Sequence, residues 1–206
     1  MKLSSQSIEN GQRIPEKFAA GVPGDGGPKP GPNHSPELTW TDAPAGTRSF
    51  AVICHDPDVP SRPDDVNQVG RVVPYDLPRI VFYHWVLVDI PAVRTELAAG
   101  IDSDAFVPRG KSLGQTPHGV RGINSYADWF ASDPNMTGDW GGYDGPWPPF
   151  NDERLHHYTF TVYALDVPSL DLPERFTGPD ALSRMEGHVL AQASITGTYS
   201  LYPNPR

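Results

Sequence analysis

The sequence predicts a fold of strands and long loops with few helices, and three observations lead to that reading. Its 206 residues include 20 Gly and 24 Pro, about a fifth of the chain, and strongly helical folds do not tolerate that many breakers. The run from His156 to Asp166 alternates with a period of two, placing His156, Tyr158, Phe160, Val162 and Ala164 on one face of a strand. The run Ser49 to Cys54 is almost continuously apolar, as expected of a strand covered on both faces. With no shift in composition along its length, the chain reads as one domain over residues 1–206.

Taken in order, residues 5–20 suggest an N-terminal strand or arm ending at Ile14-Pro15. Residues 21–36 then hold five prolines and five glycines, which predicts a long surface loop, because the segment before it is too short to be a domain. Ser35 to Trp40 alternates into a short strand, and residues 42–46 carry turn residues. The apolar strand from Ser49 is expected to stop at His55-Asp56-Pro57-Asp58-Val59-Pro60, where two prolines predict an abrupt turn. Residues 61–81 have no clear period and suggest a rim or lid. Alternation from Phe82 to Ile90 predicts a strand with Phe82, His84, Val86 and Val88 on one face. A short helix is predicted over residues 93–99, closed by Gly100. Residues 101–135, which include Tyr126, Trp129 and Phe130, give no clear secondary-structure signal. Thr177 and Pro179 open a predicted helix in which Leu182, Met185, Val189 and Ala193 recur at helical spacing, and residues 194–202 read as a last strand or tail.

Charge and cysteine content narrow the function classes. A net charge of −9 argues against wide contact with a phosphate backbone, so nucleic acid is not an expected partner. The single cysteine, Cys54, excludes an internal disulfide and fits a cytoplasmic location, and its place in an apolar strand predicts an inert thiol. No span of some 20 apolar residues is present to cross a membrane, and the N-terminus carries no apolar signal-peptide core.

The stretch Asp144-Gly145-Pro146-Trp147-Pro148-Pro149 makes a stiff loop, because each proline ring fixes its own φ and restricts the residue before it. His156 and Tyr158 follow on one strand face beside it. Asp56 and Asp58 admit two readings: with His84 and His156 they could ligate a cation, or they could accept backbone N–H bonds locally. No G-x-S-x-G elbow or other nucleophile motif is present.

Asn33-His34-Ser35-Pro36 with Leu38 and Trp40, then Asp56-Pro57-Asp58-Val59-Pro60, then His84-Trp85, then Gly142 to Pro146 running on to His156-His157-Tyr158, together resemble the phosphatidylethanolamine-binding protein family, in its bacterial Raf-kinase-inhibitor-like branch. The match runs in order from about Ile14 to Tyr202. The resemblance implies a mainly β, antiparallel Greek-key sandwich, with a large central sheet, a smaller sheet and a few helices including one near the C-terminus. It implies a pocket for a small anion or phosphorylated head group, lined by Asp56, His84, Pro146, Trp147, Pro148, His156 and Tyr158; the binding mode expected there has Asp56 orienting a histidine and the two histidines offering N–H donors to the anion. No cofactor and no catalysis are implied. The alternatives are a hydrolase using His84 or His156 as general base and a protein-interaction module; a homodimer stands as an alternative to a monomer. The sequence departs from the bacterial pattern in two places: Trp147 stands between the loop prolines where Cys is usual, and the connection from Asp-Pro-Asp to His84 is longer.

Overall fold

The computed structural model describes residues 1–206. In chain order its strands are β1 (Lys2–Ser4), β2 (Gly21–Val22), β3 (Lys29–Pro30), β4 (Leu38–Thr41), β5 (Ser49–Pro60), β6 (Arg79–Pro91), β7 (Glu96–Leu97), β8 (Gly114–Thr116), β9 (Gly119–Arg121), β10 (His156–Leu165) and β11 (Val189–Tyr199). Two α-helices, α1 (Tyr126–Trp129) and α2 (Gly178–Met185), complete the fold. A six-stranded sheet has the order β11-β10-β5-β6-β9-β8, a three-stranded sheet the order β1-β4-β7, and β2 pairs with β3. All these pairings are antiparallel. The fold is thus mainly β, as the composition and the resemblance both predict.

Alternation along β5 and β10 sorts residues onto two faces. Phe50, Val52 and Cys54 join Phe160 and Val162 in the core that packs under Leu38, Trp40 and Leu97 of the small sheet. Ala51 and Ile53 face the other way, against Ala181 and Met185 of α2. Thr177 caps α2: its hydroxyl accepts from the Asp180 N–H while the Asp180 carboxylate accepts from the Thr177 N–H, a reciprocal box that satisfies two otherwise unpaired donors. Gly187, at φ +82°, ends the helical stretch, so Val189 and Ala193 belong to β11 rather than to a longer helix.

Several local expectations are corrected. Asp56-Pro57-Asp58-Val59-Pro60 is not a turn but the end of β5, which continues to Pro60. Proline fits an extended backbone wherever its missing N–H is not needed. The ladder skips from Asp56↔Phe82 to Val59↔Ile80, so the two residues between them lie in a bulge. The helix expected over residues 93–99 is replaced by a turn and β7, with Leu97 buried in the core. Residues 101–135 contain the β8–β9 hairpin and α1.

Strict alternation also fails along β6, and here the failure positions the site. The ladder passes from Cys54↔Trp85 to His55↔Tyr83, leaving His84 as an extra residue. A bulge lets consecutive side chains turn to one side of the sheet. Trp85 and Leu87 therefore share the main core, while Val86 and Val88 lie on the opposite face, and His84 packs on Tyr158 with ring centroids 5.0 Å apart.

Candidate ligand-binding site

A chamber of about 430 Å³ opens at the end of the large sheet where β5, β6 and β10 meet the proline loop. Its lining includes Asp56, His84, Trp147, Pro148, His156 and Tyr158, so six of the seven residues expected from the resemblance converge. The seventh, Pro146, does not line it: its carbonyl accepts from the Gly21 N–H (3.0 Å), holding the loop from behind.

His84 is 2% exposed. Its Nδ1 lies 2.7 Å from the Asp144 carbonyl oxygen. A carbonyl can only accept, so Nδ1 carries the proton and Nε2 of the neutral ring is left as an acceptor. Nε2 is buried and has no hydrogen-bond partner. Burial lowers the His84 pKa to about 4, only partly offset by the charge of Asp56, so the ring is neutral at pH 7. The loop carbonyl is fixed in turn by the Asp144 side chain, which accepts from Asn33 (2.8 Å), Asn124 (2.8 Å) and the Lys111 ammonium (2.7 Å). Burial raises the Asp144 pKa, against the pull of Lys111.

His156 has the opposite environment. Its Nδ1 is 2.6 Å from Asp56 Oδ2 and its Nε2 is 3.1 Å from Asp152 Oδ2. Burial disfavours its charge, but the two carboxylates outweigh that cost and push its pKa up to about 9. Asp152 is also paired with Arg79, at 2.5 and 3.0 Å. Arg79, Asp152, His156 and Asp56 therefore alternate in charge, and the row balances itself. The expectation that both histidines offer N–H donors to an anion is not met: both ring nitrogens of His156 are already committed, and the free nitrogen of His84 accepts.

Asp58 points out of the chamber. It accepts from the backbone N–H (3.1 Å) and Nδ1 (2.9 Å) of His157 and lies 3.4 Å from Arg154. Asp56 Oδ1 accepts from the Asp58 N–H (2.7 Å). Of the two readings left open by the sequence, local acceptance of a backbone N–H holds for Asp56 Oδ1 alone, while Asp58 and the other Asp56 oxygen pair across the ladder with His157 and His156, and no group of three or more His, Cys, Asp or Glu is placed to hold a metal ion.

The rest of the chamber is aromatic. Phe82, Phe106, Tyr126, Trp129, Phe130 and Trp147 line it. Trp140 braces this wall from behind, its ring 5.1 Å from Phe130, 5.5 Å from Tyr126 and 5.6 Å from Phe106. The Trp147 ring meets Phe106 edge to face at 5.3 Å and lies so close over Gly21 that a Cβ there would come within 2.2 Å of it. The long connection over residues 61–78 forms part of the rim: the Asn151 amide donates to the carbonyls of Asp65, Gln68 and Arg71, and Asn67 reaches the chamber. Sequence reasoning missed Phe106 and Asp152, and it noted Tyr126, Trp129 and Phe130 only as aromatic content. The unusual density of aromatics in a polar, unpatterned segment was the available signal.

The profile of the family described as phosphatidylethanolamine-binding protein matches residues 4–200. The chain belongs to the phosphatidylethanolamine-binding protein family. Among bacterial relatives, the UPF0098 protein YbhB of Escherichia coli is 32% identical over 97% of this chain and 100% of its own length. A UPF0098 protein of Aquifex aeolicus is 33% identical over 97% of this chain and 88% of its own. The crystal structure of E. coli YbcL superposes with a TM-score of 0.68 at 27% identity, covering 97% of each chain. Membership fixes the sandwich and accords with a ligand-binding fold. No helix is long and apolar enough to cross a membrane.

Proposed function

We propose that this phosphatidylethanolamine-binding protein family member binds a small phosphorylated ligand in its monoanionic, singly protonated state, without turning it over. The observation that carries the reading is the orphaned Nε2 of His84, a buried acceptor in a chamber of ligand size. A buried polar atom left unpaired costs free energy that a ligand donor would recover. The P–OH of a phosphomonoester monoanion is such a donor, whereas the dianion has none to offer. A dianion also gains little Coulomb attraction here, because no Lys or Arg lines the chamber and the His156 charge is balanced by Asp56 and Asp152.

Binding is favoured over hydrolysis by the same geometry. The lining contains no Ser, Thr, Cys or Lys to act as a nucleophile. His156 cannot serve as a base while protonated and doubly bonded, and His84, with a pKa of about 4, is a weak one at neutral pH.

Calorimetric titration of a simple alkyl phosphate tests the proposal. Affinity is expected to rise several-fold as pH falls from about 7.5 to about 5.5, because the second ionisation of a phosphomonoester lies near 6. Sulfate carries no proton in this range and its affinity is expected to stay flat. His84→Ala is expected to abolish the phosphomonoester's pH dependence. Equal pH slopes for sulfate and the phosphomonoester, or an unaltered slope in His84→Ala, overturn the proton-donor reading.

A further inference from the structure

Most of the chamber lies beyond the polar floor, and its shape asks for more than a phosphoryl group. At about 430 Å³ the space is in the range of sites that enclose a whole organic molecule. Its wall is preorganised: Tyr126 and Phe130 stack at 5.8 Å, Phe130 stacks on Trp140 at 5.1 Å, and Phe106 bridges Trp140 to Trp147. Rings locked to one another in this way cannot fold inward to fill the gap.

Resting on the phosphomonoester reading above, we infer that the wall formed by Phe106, Phe130, Trp147 and Met136 is a second subsite for a planar aromatic ring, and that the ligand is an aryl phosphomonoester. A flat ring meets these side chains in offset-stacked and edge-to-face contacts, and Met136 adds a sulfur contact of the kind that aromatic edges favour. An ammonium group is the other occupant that aromatic walls attract, and here it would have the ring faces but no free carboxylate to pair with. The one carboxylate of the lining, Asp56, is already bonded to His156 and to the Asp58 N–H. Lining prolines, including Pro30, Pro108 and Pro149, add uncharged apolar surface that suits a ring face. The substitution of Trp147 for the Cys usual in the bacterial branch supplies one whole side of this slot.

The test compares phenyl phosphate, ethyl phosphate, phosphocholine and inorganic phosphate by calorimetry at about pH 6, where roughly half of each phosphomonoester is monoanionic. Phenyl phosphate is expected to bind about tenfold or more tightly than ethyl phosphate, from the additional ring contacts. In Trp147→Leu and, separately, Phe106→Leu, that preference is expected to shrink to about threefold or less. Equal binding of phenyl and ethyl phosphate, or tightest binding of phosphocholine, overturns the aromatic subsite and leaves the phosphomonoester floor standing. Failure of all four ligands to bind the wild-type protein removes both readings. Wild type alone decides the matter, so poor folding of either variant does not shield the inference.

Discussion

His84 and His156 stand on the two strands that flank β5, within reach of the same Asp56, and both are almost wholly buried. One is neutral with a pKa of about 4 and the other charged with a pKa of about 9. Partner count decides between them. His84 bonds a carbonyl and keeps one nitrogen free, so desolvation prevails. His156 bonds two carboxylates, and their combined attraction overcomes desolvation. Residue type and motif position therefore say nothing about charge here; only the neighbours do. The free acceptor and the committed cation differ in kind, one unpaired in the chamber and the other joining three strand ends.

The strongest way to break this contrast is to remove a carboxylate from His156. Asp152→Asn leaves Arg79 and His156 sharing too little negative charge in a buried place, and breaking such a pair typically costs about 3–5 kcal/mol. Chemical denaturation at pH 7 measures the loss. The same variant should pull the His156 pKa down toward ordinary values, visible in its ring proton shifts by NMR. A loss under about 1 kcal/mol would mean that the row of alternating charges is not holding the strand ends together.

The pH dependence of stability sharpens the contrast. For His156 the folded pKa of about 9 lies above the unfolded value, so its stabilisation is complete below about 6.5 and is lost as pH rises through 9. For His84 the folded pKa of about 4 lies below the unfolded value, so stability is retained above about 6.5 and lost as pH falls toward 4. Each limb amounts to at most about 3 kcal/mol. Difference curves against the wild type isolate them: His84→Asn should flatten the limb between about pH 6.5 and 4, and Asp152→Asn the alkaline limb, with a further change only below about pH 4 because, against burial, pairing with His156 and Arg79 holds the Asp152 carboxyl below its ordinary value. Coincident difference curves for the two variants would show the histidines to be one coupled system rather than two opposed ones.

Which features the sequence disclosed follows from this physics. The strand carrying His156 and Tyr158, the stiff proline loop and the α2 cap are local, so spacing and residue type revealed them. The bulge that turns His84 inward is not local, because it depends on register against Cys54 and His55 across the ladder. The charge of His156 depends on Asp152, a neighbour in sequence that alternation within a strand cannot relate to it. The aromatic wall needs Phe106 to meet Trp147, some forty residues away, and no period records such a contact. Asp56-Pro57-Asp58 misled in another way, since two prolines signal a turn as readily as a bulged strand end.

The wall offers a smaller test, because packing rather than charge fixes it. Gly21 leaves room for the Trp147 indole, and a Cβ would sit 2.2 Å from its ring. Gly21→Ala must displace that ring toward the open chamber, at about 1–3 kcal/mol for overpacking. Ligand affinity should fall with it, while the acid and alkaline limbs of stability keep their wild-type form. A change in either limb would show that wall and floor are not independent.

The smallest effect concerns Cys54, which shares β5 with Asp56 and is wholly buried. Burial pushes its thiol pKa well up, and the nearby Asp56 charge adds to the rise. The pKa moves the opposite way from that of His84 but to the same end: a buried group without an oppositely charged partner stays neutral. Thiolate is the reactive form, so a thiol reagent at neutral pH should modify the folded protein only at the rate at which the core opens. Adding denaturant below the unfolding transition should then speed modification in step with falling stability. Cys54→Ala should cost on the order of 1 kcal/mol from lost packing and leave both histidine limbs in place. Rapid labelling of the native protein, with no dependence on denaturant, would mean that the strand under the chamber floor is exposed in solution, and the buried environments assigned to both histidines would have to be abandoned with it.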